Sequence, residues 1–177
     1  MDNDQIGPQW EEDSSGEAGV PKILQSTYSG LPFQTCLVCS MDLDEAELHI
    51  VEKVIRNGEA VMEMALCATC ANNLSRDCSQ ESLAILQDVQ EEWMGQADPK
   101  GRYCAGCRKP RDHSDSFVIA GYFLPDFELV RRMAVCETCH ESVQKKLSTK
   151  TRENFGTFVE THFPGVPENI DSPVILA

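Results

Sequence analysis

Met64-Ala65-Leu66-Cys67-Ala68-Thr69-Cys70 returns later in the chain as Met133-Ala134-Val135-Cys136-Glu137-Thr138-Cys139, with Met, Ala, Cys, Thr and Cys unchanged. Each copy is preceded by another Cys-x-x-Cys pair, Cys36/Cys39 before the first and Cys104/Cys107 before the second. The gaps match: 27 residues separate the first two pairs and 28 the last two. A long motif that repeats at a fixed interval marks a duplicated structural unit.

The likeness continues beyond the cysteines. Aligned from the first pair, Ile50 and Val51 fall on Val118 and Ile119. The extra residue of the second copy therefore lies near Asn57-Gly58 or Pro125-Asp126, turn residues where insertions are tolerated. Downstream, Ser79 meets Ser148, Leu86 meets Phe155, Val89 meets Phe158 and Met94 meets Phe163. Each repeat spans about sixty residues, so the chain reads as two small modules.

Two cysteines two residues apart can grip one tetrahedral cation from a tight turn, and two such pairs complete a closed four-thiolate site. The pattern predicts two Zn2+ per chain, one on Cys36, Cys39, Cys67 and Cys70, the other on Cys104, Cys107, Cys136 and Cys139. Local pairing follows from the repeat; a cross-braced arrangement would require the halves to interleave. Modules this small have little apolar core, and a metal that organises only the folded state adds folding energy. Iron is the rival metal for four thiolates.

Met1 is followed by Asp2, Asn3 and Asp4, and no apolar run has the length of a membrane span. The expectation is a cytoplasmic protein with no membrane partner. Reduced thiols are the rule in that compartment, so the cysteines read as metal ligands and not as disulfides.

The net charge is −14 over 177 residues, and it is unevenly placed. Residues 1–30 hold six acids against Lys22, and 31–99 hold thirteen against Lys53, Arg56 and Arg76. Residues 100–163 hold eleven basic groups against eight acids. A strongly acidic chain repels a polyanion, which disfavours nucleic acid as a partner of the intact protein.

The expected organisation is α+β. It comprises a flexible acidic leader over 1–30, a first zinc module over 31–95, a Pro/Gly linker over 96–101, a second module over 102–163 and an extended tail over 164–177. In the first module strands over 49–55 and 60–66 flank Asn57-Gly58 and predict a hairpin. In the second, 117–124 and 129–135 flank Pro125-Asp126. The segments after Cys67 and Cys136 have helical character, which puts the second cysteine pair of each module on a first helical turn. The N–H groups there suit an anionic site. A further helix closes each repeat, capped at Ser79 and at Ser148 or Thr149. Its apolar stripe, Leu83, Leu86, Val89 and Trp93 in one copy and Phe155, Phe158, Val159 and Phe163 in the other, is expected to pack on its own module.

A cysteine knuckle, a hairpin and then a helix carrying the last two ligands resembles the treble-clef zinc finger, over about 36–76 and 104–146. The resemblance implies metal binding by the eight cysteines. It does not specify a function, because treble clefs serve in ribosomal proteins, ubiquitin-pathway adaptors, nucleases and transcription regulators. A zinc ribbon is the structural alternative, opposed by the helical runs after Cys70 and Cys139.

Cys136-Glu137-Thr138-Cys139-His140 has the spacing of covalent haem attachment, but the aligned Cys67-Ala68-Thr69-Cys70-Ala71 lacks the histidine, so haem is not expected. Cys78 aligns with Leu147 and reads as a small buried hydrophobe. His49 aligns with Phe117, a strand position. His113 and His162 have no ligand partner at a recognisable spacing. Catalysis finds no named residue: closed four-thiolate sites offer no open position, and the chain has no phosphate loop, nucleophile elbow or His-Glu-x-x-His.

These observations predict a non-enzymatic zinc-binding adaptor for another protein. The alternatives are nucleic-acid binding through Arg102, Arg108, Lys109, Arg111, Arg131, Arg132, Lys145, Lys146, Lys150 and Arg152 of the second module, and thiol redox chemistry.

Overall fold

Two hairpins form where the alternation of side chains places them. Strands β1 (His49–Arg56) and β2 (Glu59–Cys67) meet at Asn57 and Gly58, whose φ angles of 48° and 84° make a two-residue turn that matches strand twist. Strands β3 (Ser116–Leu124) and β4 (Glu128–Cys136) meet through a three-residue turn at Pro125–Phe127, in which Asp126 and Phe127 take positive φ, 60° and 57°. The extra residue of the second copy sits in that turn. The computed structural model describes residues 19–166; 1–18 of the expected leader and 167–177 of the expected tail lie outside the described residues.

The hairpins do not stand apart. β1 pairs antiparallel with β3, giving one four-stranded sheet in the order β2-β1-β3-β4. β1 and β3 are buried almost throughout, whereas β2 and β4 are polar at their outer ends. Runs such as Phe117-Val118-Ile119-Ala120 need cover on both faces and a neighbour on each side, which a central strand receives. In the ladder Glu52 stands opposite Ala120, its own counterpart in the repeat, so an approximate two-fold axis passes through this pair.

The helices obey the same axis. α1 (Ala68–Arg76) and α3 (Glu137–Gln144) follow β2 and β4 directly; α2 (Gln80–Gln96) and α4 (Thr149–His162) close the repeats. The apolar stripe of α2 differs from its expected placement. Leu86 and Trp93 share a buried cluster with Cys104, Ala105, Met133, Val135 and Cys136 of the second half. From α4, Val159 and Phe163 pack on Val54, Met62 and Val118, a group drawn from β1, β2 and β3. Once the hairpins share a sheet, each closing helix finds apolar surface across the axis as well as in its own repeat.

The two closing helices also cap each other. Ser79 Oγ accepts from Ser82 N and Ser148 Oγ accepts from Thr151 N, each at 3.2 Å, as the cap positions predict. The side chain of the third residue of each helix meets its own cap hydroxyl and also reaches the neighbouring cap: Ser79 N donates to Thr151 Oγ1 at 3.0 Å, and Ser148 N donates to Ser82 Oγ at 2.9 Å. This is a capping box exchanged between helices. Ser82 and Thr151 are fully buried.

The opposite face of the sheet is covered by loops. Part of the expected leader, residues 20–26, is packed there, while 27–30 are exposed. Val20 and Leu24 are buried, and a Cβ on Gly121 would lie 2.6 Å from Leu24 Cδ1. Lys53 Nζ reaches Glu63 Oε2 at 3.0 Å, donates to Gln25 O, and lies 3.2 Å from Thr27 Oγ1. Val20-Pro21-Lys22-Ile23-Leu24 is the apolar end of a segment otherwise read for its acids. Its contact with β3 requires glycine at 121.

Residues 96–101 are also held. Arg131 Nη1 donates to Met94 O at 2.8 Å, Arg132 Nε to Pro99 O at 3.2 Å, and Arg108 Nη1 to Gln96 O. Guanidinium groups thus satisfy carbonyls at the C-terminal end of α2, where a helix leaves acceptors unpaired. No helix among the described residues is long and apolar enough to cross a membrane.

Replacing Thr151 with Val should destabilise the chain by about 1–3 kcal/mol, because Ser79 N–H and Ser148 Oγ lose a buried acceptor. Thr157→Val, on the exposed face of α4, should cost less than half as much in the same urea titration. Glu52 offers a second test. Its carboxyl is wholly buried, Oε1 has no hydrogen-bond partner, and burial raises its pKa well above 4.5. A raised carboxyl is stabilising below its unfolded pKa and loses that contribution as pH rises toward the folded value. Glu52→Gln should therefore be more stable than the parent above about pH 4.5, with a margin that widens with pH; equal denaturation midpoints at pH 8 would refute it.

Candidate metal centres

Each first pair sits in a loop closed on itself and docked to the sheet. In the first copy Ser40 N donates to Cys36 O at 2.9 Å, Cys36 N donates to Met41 O at 2.9 Å, and Leu37 N donates to Ala65 O at 2.9 Å. In the second, Arg108 N donates to Cys104 O at 2.9 Å, Cys104 N to Lys109 O at 2.9 Å, and Ala105 N to Ala134 O at 2.8 Å. Ser40 and Arg108, equivalent in the repeat, both turn out of the knuckle at positive φ, 59° and 64°. The two knuckles are one structure built twice.

The second pairs lie where β2 and β4 run into helices. Cys67 is the N-cap of α1 and Cys136 that of α3, so Cys70 and Cys139 fall in the first turn, as their spacing predicts. The structure brings Cys36, Cys39, Cys67 and Cys70 together, and separately Cys104, Cys107, Cys136 and Cys139, with all sulfurs of a set within 4.8 Å of one another. Cys39 and Cys67 sulfurs are 3.8 Å apart, and those of Cys107 and Cys136 3.7 Å. A tetrahedron with metal–sulfur bonds of ~2.3 Å has an edge of about 3.8 Å. The sites fit a tetrahedral ion, and the pairing is local.

Charge in each site is prepared by backbone. Cys67 N donates to Cys36 Sγ at 3.4 Å, and Cys136 N to Cys104 Sγ at 3.3 Å. Burial acts to raise the Cys36 thiol, but N–H groups of Cys39, Cys67 and Val38 outweigh it and bring the pKa down to about 7. Cys104 is lowered in the same way, against burial, by Cys136, Cys107 and Gly106. Cys70 and Cys139 are pushed up by burial first and then by the neighbouring sulfurs. Four thiols crowded together resist ionising jointly unless a cation enters among them, and a bound dication reverses that order.

The remaining residues singled out in the sequence stay outside both clusters. Cys78 is buried beside Leu86 and Leu147, with Asn154 Nδ2 3.9 Å from its sulfur. His49 stacks on Phe123 with ring centres 5.0 Å apart and the rings nearly parallel, and burial lowers its pKa to about 4, so it is neutral. His113 faces Asp112 at 4.0 Å and His162 packs on Phe158. His140, beside Cys139, is buried but is no part of its sulfur cluster.

One contact has no counterpart in the sequence reading. A Cβ on Gly106 would lie 2.9 Å from Cys139 Sγ and 3.2 Å from Trp93 Nε1. The indole of α2, brought across the axis, covers the second knuckle, and only glycine leaves room beneath it. The equivalent residue of the first knuckle is Val38, which is 46% exposed. Comparison of the copies, Val38 against Gly106, carried that signal.

No family model, curated protein or solved structure matches the chain.

Gly106→Val should therefore weaken the second site and spare the first. Metal release to a chromophoric chelator should become biphasic, one equivalent leaving at the parental rate and the other at least tenfold faster. Uniform release would place Trp93 and Gly106 outside the energetics of the site.

Proposed function

We propose that the chain is a non-enzymatic adaptor built on two treble-clef-like zinc modules, which binds another protein through the tip of its first knuckle. The observation that carries the reading is the exposure of that tip. Leu37, Val38 and Met41 are 36%, 46% and 45% exposed, with Leu31 nearby in sequence at 40%. Asp42, Asp44, Glu45 and Glu47 follow and are also exposed. An apolar tip flanked by acids suits a partner surface with an apolar pocket and basic rim. Knuckle backbone bonds and four metal-binding cysteines hold it rigid, which reduces the ordering cost of association.

Zinc is the reading for both ions, since four thiolates in a closed tetrahedron are its structural donor set. Closed sites of this kind support a structural role and offer no position for a substrate. The basic residues of the second module favour a nucleic-acid reading less than their number suggests: Arg111 and Arg132 are buried, and residues 100–163 hold eight acids among the rest. A cytoplasmic location accords with cysteines read as metal ligands, since thiols stay reduced there.

Native mass spectrometry of the purified chain should show two zinc ions. Affinity capture from the native host should then retain a protein partner after nuclease treatment, and Val38→Asp should lose it while keeping both metals. Loss of the partner on nuclease treatment would replace the adaptor reading with nucleic-acid binding.

A further inference from the structure

We propose that the groove along the open edge of β4 is the docking site of the chain's own acidic N-terminal segment, residues 1–18. The groove, of about 320 Å3, is lined by Ala97, Pro99, Leu129, Val130, Arg131 and Arg132. Ala97, Pro99, Leu129 and Val130 are its apolar lining residues, and its charged ones are both arginines, of which Arg132 is buried. Among the described residues no strand pairs with the outer side of β4; the next backbone contact on that edge is at Ala134, where Ala105 N bonds. Val130 is 48% exposed on this edge. Such an edge accepts an extended segment by strand addition.

The local charge is positive. Arg108 and Arg131 donate to neutral carbonyls of Gln96 and Met94, so these contacts leave their charges in place. Arg102 and Arg108 flank the ring of Tyr103, at 5.8 and 5.5 Å from its centre. Lys100 and Lys109 are exposed in the same loop. Acids stand near as well: Asp98 is engaged by Arg102 at 3.4 Å, Glu128 starts β4, and Glu91 and Glu92 lie in the last turns of α2, Glu92 accepting from Gln96.

The occupant follows from charge and reach. Residues 1–18 carry Asp2, Asp4, Glu11, Glu12, Asp13 and Glu17 and no Lys or Arg. The described chain begins at Gly19, and five residues on Leu24 packs over Gly121, whose ladder partner is the groove residue Arg132. Facing residues of an antiparallel pair are about 5 Å apart, and eighteen extended residues reach up to ~60 Å. Tethering raises the local concentration of the segment to the millimolar range, so exposed ion pairs that are weak singly suffice together. A free acidic peptide would meet a chain of charge −14; a tethered one is already in place.

The test uses the intact, metal-loaded chain. A carbodiimide, which joins carboxylates directly to amines, should link Glu11, Glu12, Asp13 or Glu17 to Lys100 or Lys109 within a monomer, and high salt should abolish the links. Links found only at dimer mass would assign the groove to a second copy, and leader carboxylates linked only elsewhere, or not at all, would equally overturn the proposal. As a second measurement, Arg108→Glu combined with Arg131→Glu should raise cleavage by a glutamate-specific protease after Glu11, Glu12 and Glu17 about tenfold with both metals retained. An unchanged cleavage rate would overturn it. Should the double variant fail to hold its metals, the links in the parent chain decide. Neither measurement involves a partner protein, so the outcome stands apart from that of the adaptor reading.

Discussion

The antiparallel ladder between β1 and β3 is the constraint on which the rest of the molecule depends. It joins eight residue pairs, from His49 opposite Phe123 to Arg56 opposite Ser116, and turns two hairpins into one sheet. With the strands joined, α2 and α4 lie across a common surface and their N-termini meet, which allows Ser82 and Thr151 to cap each other's helices. Neither cap exchange nor the Trp93 contact at Gly106 would exist for two beads on a flexible connector. The arginines that hold residues 96–101 fix the path between the copies for the same reason.

The metal centres sit where strand, knuckle and helix meet, at Cys67 and Cys136. Each second pair belongs at once to the end of an outer strand and the start of a helix, and each first pair is bonded to that same outer strand, at Ala65 or Ala134. An ion entering a cluster would therefore tie three elements together. The first cysteine of each site is biased toward thiolate by backbone N–H groups, while burial and neighbouring sulfurs raise the last. Such a site binds its ion with release of protons, and folding free energy is coupled to metal in consequence.

The cysteine clusters were legible in the sequence because ligand spacing and helix onset are local properties. So were the Asn57-Gly58 turn and the caps at Ser79 and Ser148. The merged sheet was not read, although its signal stood in Phe117-Val118-Ile119-Ala120: a hairpin strand with one solvated face alternates, and this one does not. The partner of a strand edge is set by tertiary packing, which periodicity does not report. The same limit applied to the helix stripes. Leu86 and Trp93 announce a buried face and are silent about which half buries it. At residues 19–30 the acids of the leader drew the reading, and Val20 and Leu24, which decide the packing, were outnumbered.

The two copies have diverged at the axis and at the knuckles, and each difference has a physical counterpart. At the axis Glu52 faces Ala120, so one buried carboxyl stands where two would have faced each other closely across a symmetric ladder, an arrangement that opposes joint ionisation. At the knuckles, the second has Gly106 and lies under Trp93, closed by the helix that crosses from the first half; the first has Val38 and keeps its apolar tip in solvent. Covering both knuckles would leave a purely structural duplicate, and exposing both would lose the indole seal that joins α2 to the second site. A duplicated scaffold relieved of symmetry can thus commit one metal centre to holding the halves together and leave the other knuckle available for contact.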